Sequence, residues 1–278
     1  MSLTPHRLDT VVRGLIDVPG IVGVALGGSR ATGTHKESSD YDLGLYYDDA
    51  FDAAALAHLR RLASEVSGPT AELTEPGGWG PWVDGGGWLK IDGSAVDWLY
   101  RNAPRVATSV ESARTGRTSR HTQLGHPFGI PDHHYAAEVA TSVILADPHG
   151  HLARWKAELT PYPTALADAQ VRGLFAADFL PTIARKAVAR RDTAYVAACL
   201  TEAVWVVASA LCGAAGVWVT NEKGLVAAAA RTPLAPHQFA ERTATALGHL
   251  GTDSASLTAA IAEVEAVVAE ARTALAAR

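Results

Sequence analysis

The chain of 278 residues is poor in cysteine and methionine, with two of the first and one of the second. Cys199 and Cys212 cannot build a disulfide framework, and no Cys or His spacing typical of a zinc site occurs. Both cysteines lie in an apolar helical pattern, so we expect free, buried thiols and a cytoplasmic location. The first residues also lack the apolar core of a secretory signal.

A dense run of lysine and arginine is missing as well. The net charge is −5 and charged residues make up 19% of the chain. Proteins that follow long nucleic acids need a basic stripe, so we expect no such partner. One apolar run, residues 203–219, reaches the lower limit of a membrane span, but its alanine and glycine content favours a buried helix. We therefore expect no membrane association, and a monomer or homodimer.

Hydrophobic periodicity divides the chain into two regions. Strand patterns occur over 21–26, 41–47, 88–91 and 95–100, and helical patterns over 6–18 and 51–66. After about residue 103 the strand signals fade, and alanine, leucine and valine recur at helical spacing. We predict an α/β domain with a small sheet over residues 1–118, followed by an all-α helical-bundle domain over 119–278.

Two carboxylates open the second predicted strand. Side chains at positions i and i+2 of a strand point to the same side, which places Asp40 and Asp42 next to each other. Carboxylates this close repel each other unless a cation lies between them. Hard oxygen ligands with open water positions suit Mg²⁺. The pattern therefore predicts a magnesium site.

A glycine-rich turn precedes these carboxylates. Gly27, Gly28 and Ser29 follow the first predicted strand and lead into a short helix. Backbone N–H groups in such a turn can approach a phosphate closely, and Ser29 adds a hydroxyl donor. A phosphate-binding turn beside paired metal ligands is what the transfer of a phosphoryl group requires.

Gly28-Ser29, ten intervening residues and Asp40-x-Asp42 together resemble the signature of the DNA polymerase beta nucleotidyltransferase superfamily. The surrounding sequence GSRATGTHKESSDYDLGLYY is most similar to its small-molecule branch, which includes aminoglycoside and lincosamide nucleotidyltransferases. The resemblance implies a small mixed sheet flanked by helices. In the antibiotic-modifying members a helical domain follows.

The family also uses a third carboxylate on a nearby strand. Asp97, in the strand pattern GSAVDWLYR, is the candidate that the resemblance implies, whereas Asp92 beside Gly93 is better explained as a turn residue. Asp40, Asp42 and Asp97 would then hold two Mg²⁺ ions as catalytic metal ligands.

Three further residues have two interpretations each. Arg30 follows the serine and either contacts the triphosphate or pairs with an acidic residue. Lys223 resembles, by location only, a helical-domain lysine that reaches the triphosphate in aminoglycoside nucleotidyltransferases. Otherwise it is a solvated lysine in the first turn of a helix capped by Asn221. Glu138, on an amphipathic helix, is either the general base for an acceptor hydroxyl or a surface charge.

Residues 74–88 form a loop rich in glycine and tryptophan. Trp79 and Trp82 either line an acceptor cleft or pack against the sheet. For Trp88 we predict packing on the sheet.

The resemblance implies Mg²⁺-dependent transfer of a nucleoside monophosphate to a hydroxyl of a small molecule, with release of pyrophosphate. AMP from ATP is the expected donor chemistry, and an aminoglycoside-like antibiotic is one expected acceptor. A protein-modifying, AMPylating enzyme is an alternative. A non-catalytic nucleotide-binding module is another, although the three carboxylates argue against it.

Overall fold

The computed structural model describes residues 3–278, and these form two compact units. The first unit reaches to Ser112 and also includes His121–Thr160. The second consists of Ala113–Arg120 and Pro161–Arg278. The boundary predicted at residue 118 therefore differs from the structure, since residues 121–160 were expected in the helical domain and lie in the first unit.

A mixed sheet forms the centre of the first unit. Its order is β3-β4-β2-β1-β7, with β2 and β4 parallel and the other neighbours antiparallel, and β5 and β6 make a separate hairpin. The strands are β1 (Ile21–Leu26), β2 (Tyr41–Tyr47), β3 (Gly86–Ile91), β4 (Ser94–Asn102), β5 (Arg120–Gln123), β6 (His126–Pro131) and β7 (Val143–Ala146). The predicted fold class, a mixed α/β region followed by helices, is confirmed. The expectation that strands end near residue 103 is wrong, because β7 returns to pair with β1.

Within the described part of the chain, six helices accompany this sheet, and side chains cap the first turns of two of them. They are α1 (Pro5–Ile16), α2 (Gly28–Ala31), α3 (Ala53–Ser67), α4 (Ala103–Thr115), α5 (His134–Thr141) and α6 (His151–Glu158). The Thr4 hydroxyl accepts the N–H of Arg7 at the start of α1. The Asp52 carboxylate accepts the N–H groups of Ala54 and Ala55 at the start of α3. These side chains satisfy backbone donors that the first helical turn leaves without partners.

One face of the sheet carries the apolar core. Leu43 of β2 and Trp98 of β4 are fully buried there, together with Leu15 of α1 and Leu59 of α3. Because strand side chains alternate between faces, the residues between these core positions point to the other face. The functional side chains of β2 and β4 are found among them.

Helices make up most of the second unit. They are α7 (Thr164–Arg172), α8 (Leu174–Val188), α9 (Thr193–Ala214), α10 (Leu225–Ala229), α11 (Phe239–Gly248) and α12 (Ser254–Ala276). Within residues 3–278, α9 is the one helix long and apolar enough to cross a membrane, and two thirds of its apolar window is buried. It packs against α7, α8 and α12. The prediction of a buried helix is thus confirmed, and Cys199 and Cys212 on it are buried free thiols.

Candidate active site

Asp42 and Asp97 lie side by side in the sheet. They are register partners on the parallel strands β2 and β4. The next pair along, Leu43 and Trp98, is buried in the core, so the two carboxylates share the opposite face. Strand pairing therefore brings together two predicted metal ligands that are 55 residues apart in the chain.

The third predicted ligand is less tightly placed. Asp40 precedes β2 and is exposed. Among the described residues, no group of three or more His, Cys, Asp or Glu side chains converges in the manner of a metal site. The structure pairs Asp42 with Asp97, and the charge of Asp40 adds to the burial that raises the pKa of both, so the metal role of the three carboxylates stays a prediction.

The glycine-rich turn closes directly on Asp42. The Gly27 N–H donates to the Asp42 carbonyl at 2.7 Å. Gly28 has φ +62°, and a Cβ atom at this position would overlap the Asp42 carboxylate oxygen Oδ2. Both the backbone conformation and the close approach require glycine. Ser29 follows in the single turn of α2, so the predicted phosphate-binding turn lies beside a predicted metal ligand.

Electrostatics at the pair fit a divalent cation. Burial raises the pKa of Asp42, and the charges of Asp40 and Glu138 raise it further. Burial also raises the pKa of Asp97 to about 6, with added repulsion from Asp42 and Asp40. Two hard oxygen donors whose charges oppose each other are relieved by a cation such as Mg²⁺. The residues present therefore suit the metal that the sequence predicts.

Arg30 holds the loop that leads into the carboxylates. Its Nε and Nη2 atoms donate to the Ser39 carbonyl at 3.0 and 2.7 Å, and Nε also lies 3.1 Å from the Asp40 carbonyl. The guanidinium stacks over the Tyr41 ring. Neither an acidic side chain nor a phosphate is needed to explain this placement. Arg30 is a positioning residue in the structure, and its predicted contact with the triphosphate stays a prediction.

Glu138 forms a buried ion pair instead of a free carboxylate. Arg101 of β4 donates from Nε and Nη2 to its two oxygens at 2.5 and 2.8 Å, and the His134 ring lies 3.3 Å away. Burial alone would raise the pKa of Glu138, but the charges of Arg101 and His134 outweigh it and lower that pKa to about 2. A carboxylate in this state is a poor proton acceptor. The structure thus corrects the interpretation of Glu138 as an unpaired surface charge, while its role as a general base stays a prediction.

Sequence analysis missed Arg101, although its signal was present. Arg101 lies four residues after Asp97 in an otherwise apolar strand, which places both on one face of β4. Its side chain is 7% exposed. A buried arginine needs an anionic partner, and Glu138 supplies it.

Lys223 belongs to the second unit, and its local structure differs from the expectation. Helix α10 begins at Leu225, so Lys223 lies in the turn before it and not in a first helical turn. The Asn221 side chain accepts the Lys223 N–H at 2.8 Å and so caps this turn. The mismatch with the helix dipole therefore disappears, and binding of the triphosphate by Lys223 stays a prediction.

The tryptophans of residues 74–88 divide into two sets. Trp82 stacks on the His121 ring with centroids 4.0 Å apart. Trp88 is 70% exposed and stacks on Trp79. The predicted packing of Trp88 on the sheet is wrong, because Trp88 lies on the exposed face of β3, whereas Leu89 and Ile91 lie on the buried face.

Residues 9–75 match a family model described as a nucleotidyltransferase domain. Over these residues the chain is similar to nucleotidyltransferase domains. The matched segment contains Gly28, Ser29, Asp40 and Asp42 and ends before Asp97. The predicted class of enzyme, a transferase of nucleotidyl groups, is confirmed, while its small-molecule branch is not distinguished. Domains of this kind generally use a nucleoside triphosphate and a divalent metal ion.

Other comparisons are more distant. A nucleotidyltransferase-like protein from Exiguobacterium sibiricum shares 9% identity and a TM-score of 0.45, over 94% of this chain and 74% of that one. No curated protein matches the chain.

Gly28→Ala tests the close approach of the turn to Asp42. The added Cβ would displace the Asp42 carboxylate, and the positive φ adds strain of about 1 kcal/mol. We expect Mg²⁺ and ATP to bind at least about tenfold more weakly by calorimetry, which corresponds to about 1.4 kcal/mol. Gly33→Ala is the matched control, because Gly33 has φ +70° and an added Cβ there would have nothing within 4 Å. An equal loss of Mg²⁺ and ATP affinity in both variants would show that backbone strain alone, and not contact with Asp42, weakens binding.

Asp97→Asn tests the charge repulsion. With a raised pKa, the folded state binds more protons than the unfolded state between about pH 4 and pH 6, so stability falls as the pH rises through that window. In the metal-free protein, the variant should therefore be more stable than wild type at pH 7, by about 1 kcal/mol after allowance for partial exposure. Near pH 4 the difference in stability between the variant and wild type should be smaller. Thermal unfolding in EDTA measures both, and a gain independent of pH would contradict the assignment.

Glu138→Gln separates an ion-pair role from proton transfer. Removing one partner leaves Arg101 buried without a counter-charge, at a cost of about 3 kcal/mol in unfolding free energy. Replacing both partners, by Arg101→Met with Glu138→Leu, should recover most of that loss in urea titrations. A general base would instead lose turnover at unchanged stability, and that result would support the predicted role in proton transfer.

Proposed function

We propose that the protein transfers a nucleoside monophosphate, AMP from ATP, to a hydroxyl of a small molecule and releases pyrophosphate. The observation that carries this proposal is the register pairing of Asp42 with Asp97 beside a glycine turn closed against Asp42. A phosphate-binding turn and two metal-binding carboxylates are then next to each other. Nucleotidyl transfer needs both.

Each residue then has a role in binding or orientation. The backbone N–H groups of Gly28 and Ser29, with the Ser29 hydroxyl, would bind the β- and γ-phosphates. Asp42 and Asp97, with Asp40 as a further ligand, would hold Mg²⁺. Bound Mg²⁺ supplies charge stabilisation at the α-phosphoryl group and lowers the pKa of an attacking hydroxyl.

Arg30 and the Arg101–Glu138 pair would act indirectly, by holding the segments that carry the metal ligands. Arg30 fixes the loop that carries Asp40 through the carbonyls of Ser39 and Asp40. Arg101 and Glu138 join β4 to α5 on the face that carries Asp97. Fixed ligands need no rearrangement when charge develops during the reaction.

The acceptor class rests on weaker support. The net charge of −5 suits a cationic acceptor such as an aminoglycoside-like antibiotic. The helical second unit agrees with the acceptor domain that the resemblance to antibiotic-modifying enzymes implies. Cytoplasmic location, a monomer or homodimer, and the absence of nucleic-acid and membrane partners belong to the same proposal.

Asp42→Asn tests the proposal. Loss of a metal ligand should reduce transfer at least about a hundredfold while the fold persists. The assay incubates the protein with each nucleoside triphosphate, Mg²⁺ and a panel of hydroxyl compounds, and follows pyrophosphate by coupled assay and products by mass spectrometry. Asp49→Asn, an exposed carboxylate just beyond β2, is the matched control and should retain full activity. Transfer at a tenth of the wild-type rate in Asp42→Asn would refute the assigned role.

A further inference from the structure

Two tryptophans form an exposed aromatic surface beside the carboxylates. Trp88 of β3 is the register partner of Asp97 of β4, and such partners present their side chains on the same face. The Trp88 side chain is 70% exposed. Its ring stacks on Trp79 with centroids 4.5 Å apart and an interplanar angle of 22°. We call this pair the Trp79–Trp88 platform. An exposed aromatic ring beside polar groups is typical of ligand-binding sites.

The loop that carries Trp79 is held in place by buried polar side chains. The Asp84 carboxylate accepts the Tyr47 hydroxyl and the Gly77 N–H, each at 2.9 Å. The Gln123 amide donates to the Trp79 carbonyl at 2.8 Å. Asp84 and Gln123 are both buried. A ligand therefore meets a surface that is already ordered, which lowers the entropic cost of binding.

Trp88 of the platform and two of the three carboxylates face one cavity. Trp88, Asp97 and Asp40 line a cavity of about 600 Å³, whose wall continues to Lys90 and Ser67. That volume is in the range of small-molecule sites. A compound on the Trp88 ring is thus within the same space as Asp40 and Asp97, two of the candidate metal ligands.

The order of the strands assigns this cavity to the acceptor, and this step rests on the proposed function. The phosphate-binding turn follows β1, Asp42 is on β2, Asp97 is on β4, and Trp88 is on β3, at the far edge. In nucleotidyl transfer the attacking oxygen and the leaving pyrophosphate lie in line, on opposite sides of the α-phosphorus. If Gly28 and Ser29 hold the leaving phosphates, the acceptor approaches from the β3 side.

We propose that the Trp79–Trp88 platform binds the acceptor, and that the acceptor is a hydroxyl-bearing saturated ring, a sugar or a cyclitol. The apolar C–H face of such a ring stacks on indole, while its edge hydroxyls point towards Asp97. A linear alcohol lacks a flat C–H face and therefore cannot stack on the indole ring in this way. In the transfer, a hydroxyl oxygen on the ring bonds to the α-phosphorus, the bond between the α-phosphorus and the pyrophosphate oxygen breaks, and the hydroxyl proton passes to water.

Indole N–H signals in ¹H–¹⁵N spectra of the full chain test the binding directly, without Mg²⁺ or nucleotide. Trp79→Phe and Trp88→Phe assign two of the seven tryptophan signals. The ring probes are methyl α-D-glucopyranoside and 2-deoxystreptamine, and the comparison probes are N-acetyltyrosinamide and adenosine. We expect the ring probes to shift the Trp79 and Trp88 signals. Trp88→Ala should weaken that binding at least tenfold, with the fold checked by circular dichroism.

Trp82→Phe is the matched control, because Trp82 belongs to the same loop but stacks on His121. It should bind the ring probes within twofold of wild type. A response to N-acetyltyrosinamide in place of the saturated rings would overturn the proposal in favour of a protein acceptor. A response to adenosine alone would make the platform a nucleotide-base site. No response to any probe would show that the platform binds no ring.

Turnover separates this proposal from the proposed function. With a ring compound that supports pyrophosphate release, Trp88→Ala should raise the acceptor KM at least tenfold and leave kcat and the ATP KM within twofold. Normal turnover with an unchanged acceptor KM would refute the platform alone. Ring binding to Trp88 without transfer from any nucleoside triphosphate would refute the proposed function alone.

Discussion

The pairing of β2 with β4 is the constraint on which the candidate site depends. Because these strands are parallel and in register, Asp42 and Asp97 lie directly opposite each other on one face of the sheet. Burial raises the pKa of both carboxyl groups, and neighbouring charges raise it further, from Asp40 and Glu138 at Asp42 and from Asp42 and Asp40 at Asp97. Leu43 and Trp98, the next pair along, are buried in the core. A slip of one residue would exchange the two faces, so core burial fixes the position of the carboxylates.

A second charged contact fixes what lies further along the same face. Arg101 shares the face of Asp97 on β4 and binds Glu138 of α5 through two hydrogen bonds. Breaking one side of such a pair is far more costly than replacing both, which makes it a strong constraint on where α5 lies. The face therefore carries acidic groups suited to a cation at one end and a neutralised pair at the other.

The glycine turn and Arg30 complete the local geometry by different means. Gly28 lets the turn approach Asp42 where a side chain would overlap it. Arg30 binds the carbonyls of Ser39 and Asp40, the loop between the turn and β2. Gly28 has no side chain to overlap Asp42, and Arg30 supplies hydrogen bonds. Both residues fix the path of a chain segment that is otherwise exposed. Beyond them, Trp88 on the edge strand extends the same face into open space.

Local patterns in the sequence were sufficient to predict the strands and the turn that carry the phosphate-binding and metal-binding residues. The bounds of β1 and β2 agree with the prediction, and the turn at Gly28 and the candidate Asp97 follow from spacing and from the family resemblance. These features depend on neighbours in the chain, where periodicity and backbone freedom leave a direct signal.

Only the tertiary structure decided what depends on distant partners. The sequence of β7 continues a helical pattern, but in the structure β7 pairs with β1. Residues 121–160, which include β7, belong to the first unit. Glu138 looks like a surface charge until Arg101, 37 residues earlier, is opposite it. Trp88 resembles a core residue in sequence, but the structure places it on the exposed face of β3. Contacts between residues that are far apart in the chain produce no periodic pattern in the sequence, because the contacting residues are not sequence neighbours.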